Sequence, residues 1–451
     1  MLAISADPER AAIVSFRRRW LRASTDSVVA WTMMGLAVWG CGREAGPGEL
    51  PTCRLRAVSP PRLLGDENSG IGFDGPLASG ATEVGIPWYV VPPPPRDPEF
   101  DVLYQVLDRR SGDETRHFEM PHPDRTATGG DDLVVERYPD NVYCTGHSNL
   151  DLYEDFDVGS PAGQGYVASN WPDFPTSVAP KWLFVGESMI IEAGEYFEGC
   201  IIPNPGWFWY VIHPRDGSGQ AFHSIDRGVR GDGPVWGVAE SRGHGLILVG
   251  SGVGVLDGER VLLSCGGPCL VEIASDGTVL RDENVAEGLF PGPEVMWLVG
   301  GVNTVLVGWS EAETPDTSYH VRVLRLPDGE ATEVVADYRL DLVPLGFTWT
   351  SGDWHWSRAG DGFALLAELN GDRAGQRGIV LLDEAGAVVQ QIVVDTLPPY
   401  AGSAGLVGGF YYQLASSDDC LDVTWGEWDR RAEGPDGFPE KMWLQSFCCA
   451  P

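Results

Sequence analysis

The chain has 451 residues, a formal net charge of −34 and 43% hydrophobic residues. This apolar content can bury a large core and excludes a largely disordered chain. The negative charge excludes nucleic acid as a partner, because such binding depends on Lys and Arg meeting phosphates. Lys181 and Lys441 are the only lysines, so Schiff-base and other lysine-based chemistry is nearly excluded.

Residues 1–40 have the three-part plan of an export signal. The basic cluster Arg17–Arg19 precedes the uncharged run Val28–Gly40, and a polar, flexible segment follows Cys41. The uncharged run is too short to span a bilayer, which takes about 20 apolar residues. Val38–Cys41 resembles the lipobox of bacterial lipoprotein precursors. Trp39 departs from that family, in which a small residue is usual.

The lipobox resemblance implies that residues 1–40 are a signal peptide and that Cys41 carries a membrane-anchoring lipid. Gly42 stands where an Asp often retains such proteins in the inner membrane, so the outer membrane is favoured. Ordinary secretion and an uncleaved N-terminal anchor are the alternatives. On this reading residues 41–57 form a flexible tether, and residues 58–451 form a single folded domain.

The number of cysteines also favours export. The chain has nine, and assigning Cys41 to the lipid leaves an even number, enough for up to four disulfide bonds in an oxidising compartment. The alternative is that some are buried thiols. The predicted pairs are Cys265–Cys269 across a short loop, Cys420 with Cys448 or Cys449, the other of these two with Cys53, and Cys144–Cys200 by elimination.

One unit recurs along the mature chain: an apolar strand, a tight turn containing Gly, and a second strand. Short β-branched runs between Gly, Pro, Asp and Asn are typical of an all-β protein, and Asp-Gly suits tight hairpin turns. The first interval between turns is about twice the others, which predicts a further turn at Gly163-Gln164-Gly165. The other turn glycines are Gly112, Gly217, Gly277, Gly329, Gly386 and Gly437.

Seven such units predict a seven-blade β-propeller with four short strands in each blade. The inner strands are expected to be rich in Gly and apolar residues because they crowd the central channel. Gly360–Leu366 followed by Leu381–Gly386 resembles repeats of bacterial multi-blade surface propellers, over residues 230–400. The alternatives are six or eight blades, or tandem β-sandwich domains.

An acidic segment follows the predicted strand Leu150–Tyr153. Its carboxylates are Asp151, Glu154, Asp155 and Asp157, and oxygen ligands at this density predict a Ca²⁺ site. Their spacing does not match the twelve-residue calcium loop. The alternative is an ordinary solvated acidic loop.

The histidines and tryptophans carry no catalytic motif. The eight His are scattered, so a His base would have to be brought to the channel by folding. Tryptophans two or three residues apart are expected to be core rather than sugar-stacking platforms. These pairs are Trp207 with Trp209, Trp354 with Trp356, and Trp425 with Trp428.

The sequence therefore predicts a monomeric cell-envelope lipoprotein whose propeller binds a protein or glycan partner through its loops or channel. No cofactor other than the Ca²⁺ is expected. One alternative is a propeller hydrolase or lyase with a channel Ca²⁺ and a His base. Another is a structural spacer at the cell surface.

Overall fold

The computed structural model describes twenty stretches of the chain, all within one compact unit, Thr52–Pro451. They are residues 54–65, 71–72, 77–90, 102–120, 125–130, 132–137, 149–154, 163–167, 177–198, 202–215, 229–256, 259–261, 268–285, 296–310, 318–348, 356–369, 377–394, 412–417, 419–427 and 441–449. Within them there is no helix of the length and apolarity that a membrane crossing takes.

The described residues are almost entirely β-strand. The strands of the first half are β1 (Leu55–Ala57), β2 (Arg62–Gly65), β3 (Ile71–Gly72), β4 (Ala78–Ser79), β5 (Glu83–Val90), β6 (Val102–Asp108), β7 (Glu114–Met120), β8 (Arg125–Gly129), β9 (Asp132–Arg137), β10 (Asn149–Tyr153), β11 (Gly163–Val167), β12 (Ser177–Val185), β13 (Met189–Glu198) and β14 (Ile202–Pro214).

The second half continues in the same way, with one short 3₁₀ turn, Val343–Leu345. Its strands are β15 (Val229–Ser241), β16 (His244–Leu256), β17 (Glu259–Val261), β18 (Cys269–Ile273), β19 (Val279–Asn284), β20 (Met296–Gly300), β21 (Thr304–Ser310), β22 (Ser318–Arg325), β23 (Glu333–Asp341), β24 (Phe347–Thr348), β25 (Trp356–Ala359), β26 (Gly362–Leu369), β27 (Arg377–Leu382), β28 (Val388–Val393), β29 (Tyr412–Ser416), β30 (Cys420–Glu427) and β31 (Lys441–Cys449).

These strands form seven antiparallel blades arranged in a ring, which confirms the predicted seven-blade β-propeller. Blade 1 comprises β3–β7, blade 2 β8–β11, blade 5 β20–β23 and blade 6 β24–β28. Blades 3 and 4 share one hydrogen-bonded sheet, because β15 begins as the outer strand of blade 3 and continues as the inner strand of blade 4. Val229 and Arg230 of β15 pair with both β14 and β16, whereas the rest of the strand pairs with β16 alone and shifts register between Asp232 and Val235.

The inner strands close the ring. They are β4, β8, β12, β15, β20, β25 and β29; each contacts the next, and β29 returns to β4. The apolar cores lie between consecutive blades, because residues of a strand alternate between its two faces. In β30, Leu421, Val423 and Trp425 pack toward blade 6, whereas Asp422 packs against blade 1.

Blade 7 is completed by the N-terminal strand. It contains β29–β31, and both β1 and β2 pair antiparallel with β31, Leu55 lying opposite Cys449 and Arg62 opposite Leu444. Residues 55–57, predicted to belong to the tether, are therefore part of the folded ring. The contact between blade 7 and blade 1 is called the seam below.

The predicted turns are confirmed where they are described. Gly112, Gly277, Gly329 and Gly386 all have positive φ, and each joins the third strand of a blade to the fourth. The predicted turn at Gly163-Gln164-Gly165 is wrong in detail: β10 and β11 do form a hairpin, but residues 163–165 lie within β11. Gly217 and Gly437 lie outside the described residues.

The two ends of the ring differ in how their strands are joined. The turns between first and second strands, such as residues 186–188 and 242–243, lie at the same end as those between third and fourth strands, such as residues 326–332. This is the hairpin end, and the other is called the opposite end.

Candidate functional site at the channel mouth

At the hairpin end, neighbouring inner strands approach to backbone contact. A Cβ on Gly129 of blade 2 would lie 2.2 Å from the Val185 carbonyl oxygen of blade 3, and a Cβ on Gly300 of blade 5 would lie 1.9 Å from the Glu240 carbonyl oxygen of blade 4. Only glycine fits such positions. The expectation that crowding makes the inner strands glycine-rich is confirmed at these two junctions.

The turn of residues 186–188 in blade 3 is held by the neighbouring blade. The Ser188 backbone N–H donates to Glu240 Oε1 at 3.1 Å, and the Ser188 hydroxyl donates to the same oxygen at 2.6 Å. A Cβ on Gly186 would lie 1.6 Å from Glu240 Oε2, so any side chain at this position would displace the Glu240 carboxylate. Glu240 thus fixes the path of the turn.

A guanidinium holds the other side of the same turn. Arg215, just after β14, donates through Nη1 to the Gly186 carbonyl oxygen at 2.7 Å. Its Nη2 lies 2.5 Å from Asp132 Oδ2 of blade 2, and both side chains are largely buried. Groups from blades 2, 3 and 4 therefore converge on this turn.

The turn projects Glu187 toward a distant blade. Glu187 Oε1 lies 3.2 Å from Nη1 of Arg358 on β25 of blade 6, and Arg358 Nε donates to the Gly360 carbonyl oxygen at 3.1 Å. The Glu187 side chain is 80% exposed, and exposed ion pairs contribute about 1 kcal/mol or less to stability. The ion pair matters for geometry rather than for stability, because it joins inner segments of blades 3 and 6 at the channel mouth.

The pKa of Glu240 depends on the other groups of this cluster. Burial raises the pKa of Glu240, the two hydrogen bonds from Ser188 lower it, and the neighbouring charge of Glu187 raises it again, so that the net direction is upward. A proton therefore binds this carboxylate more readily in the folded ring than in the unfolded chain.

The described histidines each lie beside a carboxylate of their own blade, and none is on an inner strand. The four pairs are His117–Glu114 at 2.6 Å, His213–Glu192 at 2.8 Å, His244–Glu272 at 2.7 Å and His320–Asp337 at 2.5 Å. Within the described ranges, folding therefore brings no histidine to the channel.

The His320 pair forms part of a larger cluster on blade 5. The rings of Trp309 and His320 stack with centroids 4.1 Å apart, and the Arg322 guanidinium lies 5.8 Å from the Trp309 ring. Burial alone would raise the pKa of Asp337, but hydrogen bonds from His320 and Arg322 lower it overall. This cluster therefore links β21, β22 and β23.

The acidic segment is described only in part. Asp151 lies on β10, and Glu154 Oε1 lies 3.6 Å from Arg215 Nη2, a guanidinium that would compete with a bound cation. Asp155 and Asp157 lie outside the described residues. In the part of the chain that is described, no three metal-ligating side chains cluster. The Ca²⁺ site stays a prediction.

One of the predicted cysteine pairs is confirmed. Cys420 and Cys448 lie opposite each other on β30 and β31 and form a disulfide bond, as one of the predicted alternatives has it. Cys269 and Cys449 are also disulfide-bonded. The remaining candidates lie outside the described residues: Cys41, Cys53, Cys144, Cys200 and Cys265.

The described tryptophans are core, as expected. Trp425 is buried and stacks on Trp443 across the strands of blade 7, and Trp356 packs edge-on against Tyr319 between blades 5 and 6. The remaining predicted positions lie outside what the structure describes: Trp354 and Trp428, and the side chains of Trp207 and Trp209.

Sequence reasoning missed the residues of the channel mouth. Ser188, Glu240 and Arg358 lie in three different blades, and no local motif joins them. The one available signal was the Gly-Glu-Ser run at residues 186–188, a small residue followed by polar ones at the end of an apolar inner strand.

No protein-family model matches the chain. No curated protein matches it either. Among solved structures, it is similar to the polysaccharide lyase Uly1, with 10% identity, 84% of this chain and 90% of that chain covered, and a TM-score of 0.44. It is also similar to the β-propeller domain of the Trilobed protease from Pyrococcus furiosus, with 8% identity, 83% and 94% covered, and a TM-score of 0.45. An ulvan lyase gives 9% identity, 85% and 95% covered, and a TM-score of 0.39. At these levels the likeness carries no argument about activity.

Proposed function

We propose that the protein is an exported, lipid-anchored β-propeller of the cell envelope that binds a protein or glycan partner without transforming it. The observation that carries export is that every cysteine in the described residues, Cys269, Cys420, Cys448 and Cys449, is in a disulfide bond. Such bonds persist in oxidising compartments and are rare in the cytosol. The signal-like residues 1–40 and the lipobox-like Cys41 support the same location.

Binding is preferred over catalysis because of how the described ionisable groups are used. The described histidines lie beside carboxylates on the outer three strands of their blades, and the channel-mouth charges contact one another across blades. A rigid ring that presents its strand ends suits recognition. The hydrolase or lyase alternative would need a His base from outside the described residues.

The lipid anchor is tested on protein isolated from the membrane fraction of its host. We expect an N-terminal Cys41 carrying a mass increment for lipid, and we expect Cys41→Ala to leave the protein unlipidated and released from the membrane. A matched Cys53→Ala variant controls for loss of any other cysteine near the N-terminus. An unmodified N-terminus upstream of Cys41 in the wild-type protein would contradict the anchor.

Binding and catalysis are separated with the same purified protein. Immobilised protein is exposed to a panel of envelope polysaccharides, and each glycan retained is recovered and sized. Saturable retention of a glycan of unchanged length supports binding. New reducing ends or unsaturated sugars favour the enzyme, and an unaltered envelope after deletion of the protein, with nothing retained, favours the spacer.

A further inference from the structure

The direction of the first strand fixes where the chain enters the ring. Leu55 pairs with Cys449, and Ala57 with Phe447, so that β1 runs antiparallel to β31. Cys448 in turn lies opposite Cys420, the first residue of β30, which follows the turn from β29. Such turns define the hairpin end. The chain therefore enters at the hairpin end and runs toward the opposite end.

The reach of the connecting peptide limits how the ring can sit. Thirteen residues separate Cys41 from β1, and a flexible coil of thirteen residues spans about 20 Å on average. The nine residues of β23 make this strand about 30 Å long. Only a tether stretched to about 45 Å could run along the outside of the ring and bring the opposite end down to the anchor, at the cost of its conformational freedom.

The charges at the entry point agree with this orientation. Arg54, Arg56 and Arg110 are exposed there together with the carboxylates of Asp113 and Asp419, so the entry point carries little net charge. Arg62 of β2 donates to the carbonyl oxygen of Arg110 in the turn between β6 and β7. Away from the seam, the hairpin end is acidic, as at the exposed Asp361. Lipid headgroups of the bacterial envelope are commonly anionic, and arginine is attracted to such a surface while carboxylates are repelled.

We infer that the propeller stands with its hairpin end toward the membrane, the arginines of the seam nearest the anionic lipid surface and the opposite end presented to the partner. This inference rests on the lipid proposed at Cys41. It adds a direction to that anchor: the face with the tight turns is the membrane face, and Val343, exposed at the opposite end, is on the partner side.

The test compares two positions on the same blade. Glu330 and Val343 are both exposed and lie beyond the two ends of β23, at opposite ends of the ring and about 30 Å or more apart. An azide-bearing amino acid is encoded at one or the other position of the full-length lipoprotein and coupled to a donor dye. The protein is then reconstituted into vesicles of phosphatidylcholine and phosphatidylglycerol containing an acceptor-labelled lipid.

We expect higher energy transfer to the membrane from position 330 than from position 343. Flotation of the vesicles is scored on the same samples. Flotation with equal transfer, or with higher transfer from position 343, overturns the orientation and leaves the lipid anchor standing. Failure of the lipid-bearing protein to float contradicts the anchor itself, and with it the orientation.

Discussion

The junction between blades 4 and 5 and the seam between blades 7 and 1 join neighbouring blades with different side chains. The first is an apolar core in which Leu248, Val307 and Trp309 are buried among other hydrophobic side chains. The described apolar cluster at the seam is smaller, around Ile86 and Leu444. The seam adds a polar network instead.

The centre of that network is a buried ion pair. Arg109 donates through Nε and Nη2 to the two carboxylate oxygens of Asp422 at 3.1 and 2.8 Å, and Ser79 Oγ donates to Asp422 at 2.6 Å. Arg109 also donates to the carbonyl oxygens of Gly80 and Ala81. Blades 4 and 5 are consecutive in the chain, whereas the seam must join its two ends. Directional bonds can fix one alignment there, which apolar contact alone does not do.

The largest expected effect is at this ion pair. Asp422→Ala leaves the buried Arg109 guanidinium without its carboxylate, and breaking a buried pair in this way costs about 3–5 kcal/mol. The free energy of unfolding in urea measures the loss. The control is Asp328→Ala, which removes an exposed partner of Arg242 and should cost about 1 kcal/mol or less. Equal losses in the two variants would remove the distinction between seam and surface.

The disulfide of blade 7 should come next. Cys420 and Cys448 are 28 residues apart, and a loop of this length is worth about 3–4 kcal/mol in the chain-entropy model. Replacing both with serine should lower the midpoint of urea unfolding and steepen its slope, because the unfolded chain is no longer cross-linked and exposes more surface. A midpoint unchanged from wild type would show that the bond adds nothing to closure.

At the apolar junction, the expected cost depends on volume. Leu248→Ala should destabilise the ring by about 2–5 kcal/mol, because the buried side chain leaves a cavity between blades 4 and 5. Leu280→Ala is the matched control, since nearly half of that side chain is exposed. We expect the control to cost well below half as much, read from thermal melts of both variants.

The strand by which the chain enters the ring, β1, should open more easily than the other strands. The backbone N–H of Leu55 donates to Gln390 Oε1 at 3.0 Å, and Gln390 Nε2 donates to the Leu55 carbonyl oxygen at 2.7 Å. Gln390→Ala removes both bonds, worth about 1–3 kcal/mol together. Hydrogen exchange should show β1 opening faster while β26 is unchanged. Faster exchange throughout blade 6 would indicate general destabilisation instead.

Substitution of Glu240 at the channel mouth should change the stability of the ring least. Whether it stabilises or destabilises the ring depends on pH. Because the folded ring raises the pKa of Glu240, the native state binds the proton more tightly than the unfolded chain. Its contribution to stability is therefore present at low pH and decreases as the pH rises above the ordinary value of 4.5. Melting temperatures of wild type and Glu240→Gln, compared from pH 4 to 7, should shift in favour of the variant as the pH rises.

The repeat could be predicted from the sequence because it depends on local chemistry. Gly277, Gly329 and Gly386 mark tight turns wherever they occur, and alternation along strands such as β30 sets the two faces of a blade. The turn predicted at residues 163–165 was wrong because glycine is also tolerated within a strand, and spacing alone does not separate the two.

The closing contacts could not be predicted, because they join distant parts of the chain. Ser79 and Asp422 are 343 residues apart, and Glu187 and Arg358 are 171 apart. The first strand has only three residues, too few to show a periodic pattern. Its partner is defined only once the ring has closed, which is why its residues were predicted to be tether.

The central claim is that this chain folds into a ring that is closed at its seam and held by disulfide bonds, on which the proposed export rests. The most direct test is a disulfide map of the protein purified from its host, with thiols blocked at lysis and no reducing agent. The account predicts a peptide pair linking Cys420 to Cys448, with Cys269 and Cys449 also recovered in bonds. Recovery of Cys420 and Cys448 as blocked free thiols would contradict it.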